Sequence, residues 1–167
     1  MPSSRIFEIT AEDANALDEV RQLFVEYAEW LSPFVTASTL AEELVSLPEP
    51  FASPGGRLLA ARDASGAICG CVGIRRHSET ECEIKRLFVR PGCRGGGLGQ
   101  TLFSAALDVG CDLGYRGVLV STIPDFMPAA NRMYERIGFA PTECFEHKTQ
   151  ASAEIRYLRY DLAQWCP

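Results

Sequence analysis

The stretch that most constrains this chain is Glu83 to Gly99, Glu-Ile-Lys-Arg-Leu-Phe-Val-Arg-Pro-Gly-Cys-Arg-Gly-Gly-Gly-Leu-Gly. It opens as a strand, with Ile84, Leu87, Phe88 and Val89 interleaved with charged residues. Pro91-Gly92 stops that strand, because proline cannot donate to a ladder and glycine permits a turn. A loop with Gly95, Gly96, Gly97 and Gly99 follows, and Leu98 begins an apolar helical stripe. The first amides of a helix have no internal partner and lie at the positive end of its dipole. Glycines let a ligand come close to such amides, and Arg94 adds a fixed positive charge. The expected object is a pocket for a phosphate or pyrophosphate.

Spacing sorts the known phosphate loops. No lysine follows any of these glycines, so a Walker loop is excluded. A dinucleotide fingerprint started at Gly95 needs glycine where Gln100 stands, and one started at Gly97 needs it at Leu102. What remains is Arg-x-x-Gly-x-Gly, carried by Arg94, Gly97 and Gly99.

At 167 residues the chain is most simply one domain, 1–167, with a core of its own. Apolar content of 47% and charged content of 23% suit a soluble globular protein. No apolar run is long enough to span a bilayer, and the N-terminus lacks the apolar core of a signal peptide. A net charge of −6 argues against nucleic acid as a partner and suits a cationic, amine-bearing one. The seven cysteines form no Cys-x-x-Cys pair, and His77 and His147 lie far apart, so no metal site is expected. Most of these cysteines sit within apolar patterns, where free thiols pack as small hydrophobes, and a reducing cytoplasm is the expected compartment. Cys93, beside Arg94, reads as a loop thiol.

Along the chain, Arg5 to Thr10 reads as a strand, and Thr10 or Asp13 as a helix cap. Leu17, Val20, Phe24, Tyr27 and Leu31 recur at helical steps up to Ser32-Pro33. A shorter helix is expected from Thr36 to Leu47, then a Pro-rich loop to Gly56. Arg57 to Arg62 and Ala67 to Arg75 flank a turn and form a hairpin, and Glu79 to Glu81 turns into the central strand. The helix after the glycine loop closes at Gly114. Gly117 to Ser121 should lie parallel to the central strand through a right-handed crossover. A helix opening at Pro124-Asp125 and ending at Gly138 precedes strands over Phe139 to Phe145 and Ile155 to Leu162, with Gln150 to Ala153 in the loop between them. The order β-α-α-β-β-β-α-β-α-β-β implies an α/β fold built on a mixed sheet with helices on both faces.

Two separated motifs carry a family resemblance. Lys-Arg-Leu-Phe-Val with the Arg94-x-x-Gly97-x-Gly99 loop resembles the acyl-coenzyme A motif of the GNAT family of N-acetyltransferases, and Met133-Tyr134-Glu135-Arg136-Ile137-Gly138-Phe139 resembles that family's Leu-Tyr-Glu-x-x-Gly-Phe run. The element order matches across nearly the whole chain. The resemblance implies an acyl-CoA N-acyltransferase fold, its sheet mostly antiparallel with one splayed parallel pair. It implies acetyl-CoA as cosubstrate, held by Arg94, Gly95, Gly96, Gly97, Leu98, Gly99 and Gln100 at the pyrophosphate and by the backbone of Leu87, Phe88 and Val89 along the pantetheine arm. A bulge near Arg86 is the expected cause of the splay. Tyr134 falls at the acid position, as a neutral phenol able to protonate a leaving thiolate, and Glu83 at the offset of a base glutamate. Each has a bland alternative: a core tyrosine on a helical stripe, and a strand glutamate that is solvated or paired with Lys85 or Arg86. Where the family often has a pantetheine-contacting asparagine this chain has Met127, and Asn131 is the substitute candidate.

The family builds its acceptor site from the first two helices and the last hairpin, where Tyr27, Trp30, Phe34 and Phe145 lie as candidate substrate-binding residues or as core. An aromatic floor there would take an apolar side chain or a cation face. Trp165 is a candidate homodimer contact. The leading expectation is acetyl transfer from acetyl-CoA to a primary amine of a small or amino-acid-like metabolite, by direct attack, with neither nucleic acid nor membrane as partner. Acetylation of a protein N-terminus or lysine is the alternative within the enzyme class, and a non-catalytic acyl-CoA sensor the alternative outside it.

Overall fold

A computed structural model describes residues 5–34, 40–146 and 153–167. Their strands are β1 (Arg5–Ile9), β2 (Arg57–Arg62), β3 (Ile68–Arg76), β4 (Glu81–Val89), β5 (Gly117–Thr122), β6 (Ala140–Pro141) and β7 (Arg156–Asp161). Their helices are α1 (Ala14–Leu31), α2 (Leu40–Ser46), α3 (Leu98–Asp112) and α4 (Pro128–Ile137). The strands form one mixed sheet in the order β1-β2-β3-β4-β5-β7-β6. Every pairing is antiparallel except β4 with β5. That exception follows from the connection, since β4 reaches β5 through the crossover helix α3.

The period-2 pattern of the strands divides the core in two. On one face Leu102, Phe103, Ala106 and Leu107 of α3 pack with Val72, Ile74, Cys82, Ile84, Val118 and Val120, and Met133 and Tyr134 of α4 join them. On the other face Leu17, Val20, Leu23 and Phe24 of α1 pack with Leu58, Ala60, Ile68, Cys71 and Phe88. Helices therefore cover both faces, as the alternation of elements implies.

Several boundaries differ from expectation for physical reasons. Asp13 does not cap α1 forward. Its carboxylate turns back to accept from the Thr10 amide at 2.8 Å and the Thr10 hydroxyl at 2.9 Å. The strand expected over Phe139 to Phe145 shortens to Ala140–Pro141. Pro141 has no N–H to extend the ladder, and past it, among the described residues, the Thr142 amide reaches back to β7, donating to Tyr157 O at 2.9 Å. α4 begins at Pro128 rather than at Pro124. The amides of Phe126 and Met127 close a turn on Ile123 O, which leaves Pro128 at a helix start where its missing N–H costs nothing. His147, most of the expected Gln150 to Ala153 loop and the start of the expected Thr36 to Leu47 helix lie outside the described residues.

The cysteines also need correction. Cys111 and Cys166 form a disulfide with Cα atoms 5.7 Å apart, so these two do not pack as free thiols. Cys111 lies in the last turn of α3, and the turn at Leu162–Gln164 brings the following residues back beside it. Trp165 is tied to the same helix, its indole donating to Asp108 Oδ1 at 2.8 Å. Cys69, Cys71 and Cys82 are buried free thiols, Cys93 is half-buried and Cys144 is exposed. Among the described residues no helix is long and apolar enough to cross a membrane, and no cluster of three His, Cys, Asp or Glu side chains could hold a metal.

Candidate active site

β4 and β5 pair only at Glu81–Gly117, Cys82–Val118 and Glu83–Leu119, although β4 runs on to Val89 and β5 to Thr122. The cause is a bulge in β4. Against β3, Cys71 faces Phe88 while Gly73 faces Lys85, so β4 carries one extra residue over that interval. Arg86 sits there at φ 58°, a left-handed conformation unusual for a side chain with a Cβ. Gly73 lies at the same place because a Cβ on it would stand 2.6 Å from the Phe51 ring. Beyond the bulge the two strands diverge, and β4 presents backbone to the gap. Backbone polar groups in such a gap call for a partner.

The gap opens into a cavity of about 520 Å³. Leu87, Phe88 and Val89 form one wall, and Arg94, Gly95, Gly97, Leu98, Gly99 and Gln100 close one end. Gly97 starts α3 in a left-handed conformation with φ 80°, and Gly95 has φ 88°. A Cβ built on Gly95, Gly96 or Gly97 would have no atom within 4 Å, so the space beside these glycines is open. Among the described residues, the amides from Gly95 to Gln100 donate no hydrogen bond. This cradle of free amides at a helix N-terminus fits a pyrophosphate. Arg94 is drawn toward the wall, its Nε donating to Val89 O at 2.7 Å and its guanidinium resting over the Trp30 and Phe88 rings at 5.5 Å. Gly96 is not part of the cavity wall.

Tyr134 lines the cavity from α4, with its ring 5.2 Å from Phe103 and 5.4 Å from Phe139. It packs in the core cluster and also lines the cavity. Burial pushes its phenol above the ordinary 10.0, which keeps it protonated. Asn131 points elsewhere. Its amide donates to Thr122 Oγ1 at 2.9 Å and to Met127 O at 2.8 Å, joining the first turn of α4 to the end of β5, and it does not line the cavity. Met127, at the position the family often gives to asparagine, does line it.

Glu83 is 1% exposed and lies beneath the cavity, outside its wall. Arg75 donates to its Oε2 through Nε at 3.0 Å and Nη2 at 2.8 Å, and Lys85 Nζ lies 3.2 Å from its Oε1. Lys85 extends the chain of charges to Glu146, at 3.0 Å, and the Ser121 hydroxyl donates to the same Glu146 oxygen at 3.0 Å. Lys85 and Ser121 line the cavity, so this network reaches it through them. Arg86 is not Glu83's partner. It crosses to α2, where it is ion-paired with the buried Glu43, its Nε donating to Oε1 at 3.2 Å. Sequence reasoning missed Glu43, Ser121, Phe126 and Glu146, because nothing local in the sequence signals a side chain brought to the site from another element.

Tyr27 and Trp30 line the cavity from the last turns of α1, and Phe126 completes that side with its ring centroid 4.4 Å from Trp30. Phe34 stacks behind Phe126 at 4.2 Å, outside the wall. Phe145 lies away from the cavity, edge-on to His77 at 5.6 Å and to Tyr157 at 5.2 Å. The structure thus brings the glycine loop, Tyr134, Tyr27 and Trp30 to one cavity and leaves Phe34, Phe145, Asn131 and Glu83 behind it.

Residues 17–139 match the profile of the acetyltransferase (GNAT) family. An N-acetyltransferase of Schizosaccharomyces pombe, itself uncharacterized, is 31% identical over 149 residues, which are 89% of this chain and 90% of that protein. An IAA acetyltransferase of Azospirillum brasilense is 31% identical over 131 residues, 78% of this chain and 82% of that one. The crystal structure of spermidine N-acetyltransferase from Vibrio cholerae with CoA and spermine superposes with a TM-score of 0.70 at 16% identity, covering 99% of each chain, a likeness of fold.

Proposed function

The chain belongs to the GNAT family of acetyltransferases, and on that premise we propose that it transfers an acetyl group from acetyl-CoA to the primary amine of a small or amino-acid-like metabolite, by direct attack in a ternary complex. One observation carries the reading: the gap between β4 and β5 ends at the uncommitted amides of the glycine loop. Those amides and Arg94 receive the pyrophosphate. The freed edge of β4 at Leu87, Phe88 and Val89 receives the amide-bearing pantetheine arm as an added strand would be received. A fold neighbour crystallised with CoA and spermine supports this pairing of donor and small amine.

In the transfer, a C–N bond forms as the C–S bond breaks. The amine sheds a proton and the leaving sulfur gains one. Tyr134 donates the second proton, since its phenol is neutral and faces the cavity. Glu83 takes the first through water in the reading its position suggests. A second reading, that Glu83 holds Lys85 and Arg75 in place at the mouth of the splay, is favoured by the ion pairs on both of its oxygens. Glu83→Gln separates the two. Loss of the acidic limb of the pH–rate profile marks the base. An intact limb with a lowered unfolding midpoint marks the positioning role.

The reading as a whole is tested by thermal unfolding with and without acetyl-CoA, followed by thiol release with a panel of amines. Acetyl-CoA should raise the midpoint by mass action and nicotinamide dinucleotides should not. No shift with acetyl-CoA overturns the donor assignment. A shift without release from any amine favours an acyl-CoA sensor.

A further inference from the structure

We infer that the acceptor is an aromatic or apolar monoamine, and that polyamines are excluded by charge. The inference rests on the reading of this cavity as the acetyl-transfer site. Among the described residues the cavity wall holds no Asp or Glu. Its cations Lys85 and Arg86 are ion-paired, and Arg94 and Arg136 stand at the glycine-loop end. Three carboxylates that meet charged residues of the wall or of β4 are each closed on a partner: Glu43 on Arg86, Glu83 on Arg75 and Lys85, Glu146 on Lys85 and Ser121. Residues 35–39 and 147–152 contain no Asp or Glu, so they cannot add one. A second ammonium on the acceptor would thus lose water and find no carboxylate in the wall to replace it.

The aromatic faces do not change this. A ring binds a cation through its face, and a guanidinium of the protein already lies over one face of both Tyr27 and Trp30. Arg86 lies over Tyr27 at 5.7 Å and Arg94 over Trp30 at 5.5 Å. What the wall still offers is apolar contact, from Phe126 against Trp30 at 4.4 Å and from the Met127 side chain. That surface matches an uncharged aromatic or aliphatic body carrying a single amine.

The test is acetyl-CoA-dependent thiol release by the full chain with 2-phenylethylamine, L-phenylalanine and spermidine at matched concentrations, beside the acetyl-CoA unfolding shift. At least one aromatic amine should exceed spermidine in kcat/KM by about tenfold or more, the scale of one unmatched charge contact. Phe126→Glu places a carboxylate in the wall and should move the ratio several-fold toward spermidine while the acetyl-CoA shift persists. The wild-type comparison stands even if that variant does not fold. Spermidine turned over as well as the aromatic amines overturns the inference. So does a retained acetyl-CoA shift with no release from any of the three, which leaves the donor reading in place. Absence of the shift removes the donor reading and the inference with it.

Discussion

At Gly97 two demands meet in one residue. The backbone sits at φ 80°, which side chains with a Cβ rarely adopt, and the space where a Cβ would go is open to the cavity. Gly97→Glu therefore strains the start of α3 and puts a negative charge where the pyrophosphate binds. The expected outcome is loss of the acetyl-CoA unfolding shift in a chain that still folds, read by calorimetry. Tyr134 presents a different single-residue question. Its phenol is raised by burial, so the neutral form, the one able to donate, persists past the ordinary value of 10.0. The sign is that of an acid kept protonated, and the rate should not decline through pH 10 on account of Tyr134. Tyr134→Phe should lower kcat by about 10²-fold, the lower end for a general acid, with acetyl-CoA affinity nearly unchanged. A variant rate equal to wild type across that pH range would return Tyr134 to the core alone.

At the scale of the element, the bulge of β4 is what turns a sheet into a site. Arg86 at φ 58° is held on the α2 side by Glu43 and by the Phe24 and Tyr27 rings, with its guanidinium 6.0 and 5.7 Å from their centroids. Glu43→Ala leaves that guanidinium largely buried without its partner, a change that costs roughly 3 kcal/mol or more when such a pair is broken. Chemical denaturation should show the loss, and a raised KM for acetyl-CoA should accompany it, because the wall that follows the bulge is no longer held. This element also marks how far the sequence could be read. Strand, glycine loop and helix were legible from Ile84 to Leu102 because each is a local pattern of periodicity and turn chemistry. The truncation of the strand after Pro141 was signalled by the proline itself and underweighted. The ion pairs of Arg86 with Glu43 and of Lys85 with Glu146 were not legible, since they join residues 43 and 61 positions apart. The same is true of Asn131, whose side chain is fixed by Thr122 across an element boundary.

For the whole molecule, the element order was enough to imply a mixed sheet with its crossover, because connections between strands have few allowed forms. What it could not imply is how the C-terminal residues close back on the fold. β7 pairs with β5 along its full length, and the Leu162 amide donates to Arg116 O at 2.9 Å. The disulfide between Cys111 and Cys166 then joins the C-terminal residues to the end of α3, the helix whose other end forms the pyrophosphate cradle. Cross-linking across 55 residues restricts the unfolded chain by roughly 4 kcal/mol in the loop-entropy account. Reduction, or Cys166→Ser, should accordingly lower the unfolding midpoint by about 10 °C in a chain of this length. The bond also sets a thiol count, with five free cysteines in the denatured oxidised chain and seven after reduction. Because the link lies at the far end of α3, acetyl-CoA should raise the midpoint of the oxidised and reduced forms by similar amounts. A shift confined to the oxidised form would mean that the C-terminal link and the glycine loop are coupled through the helix between them.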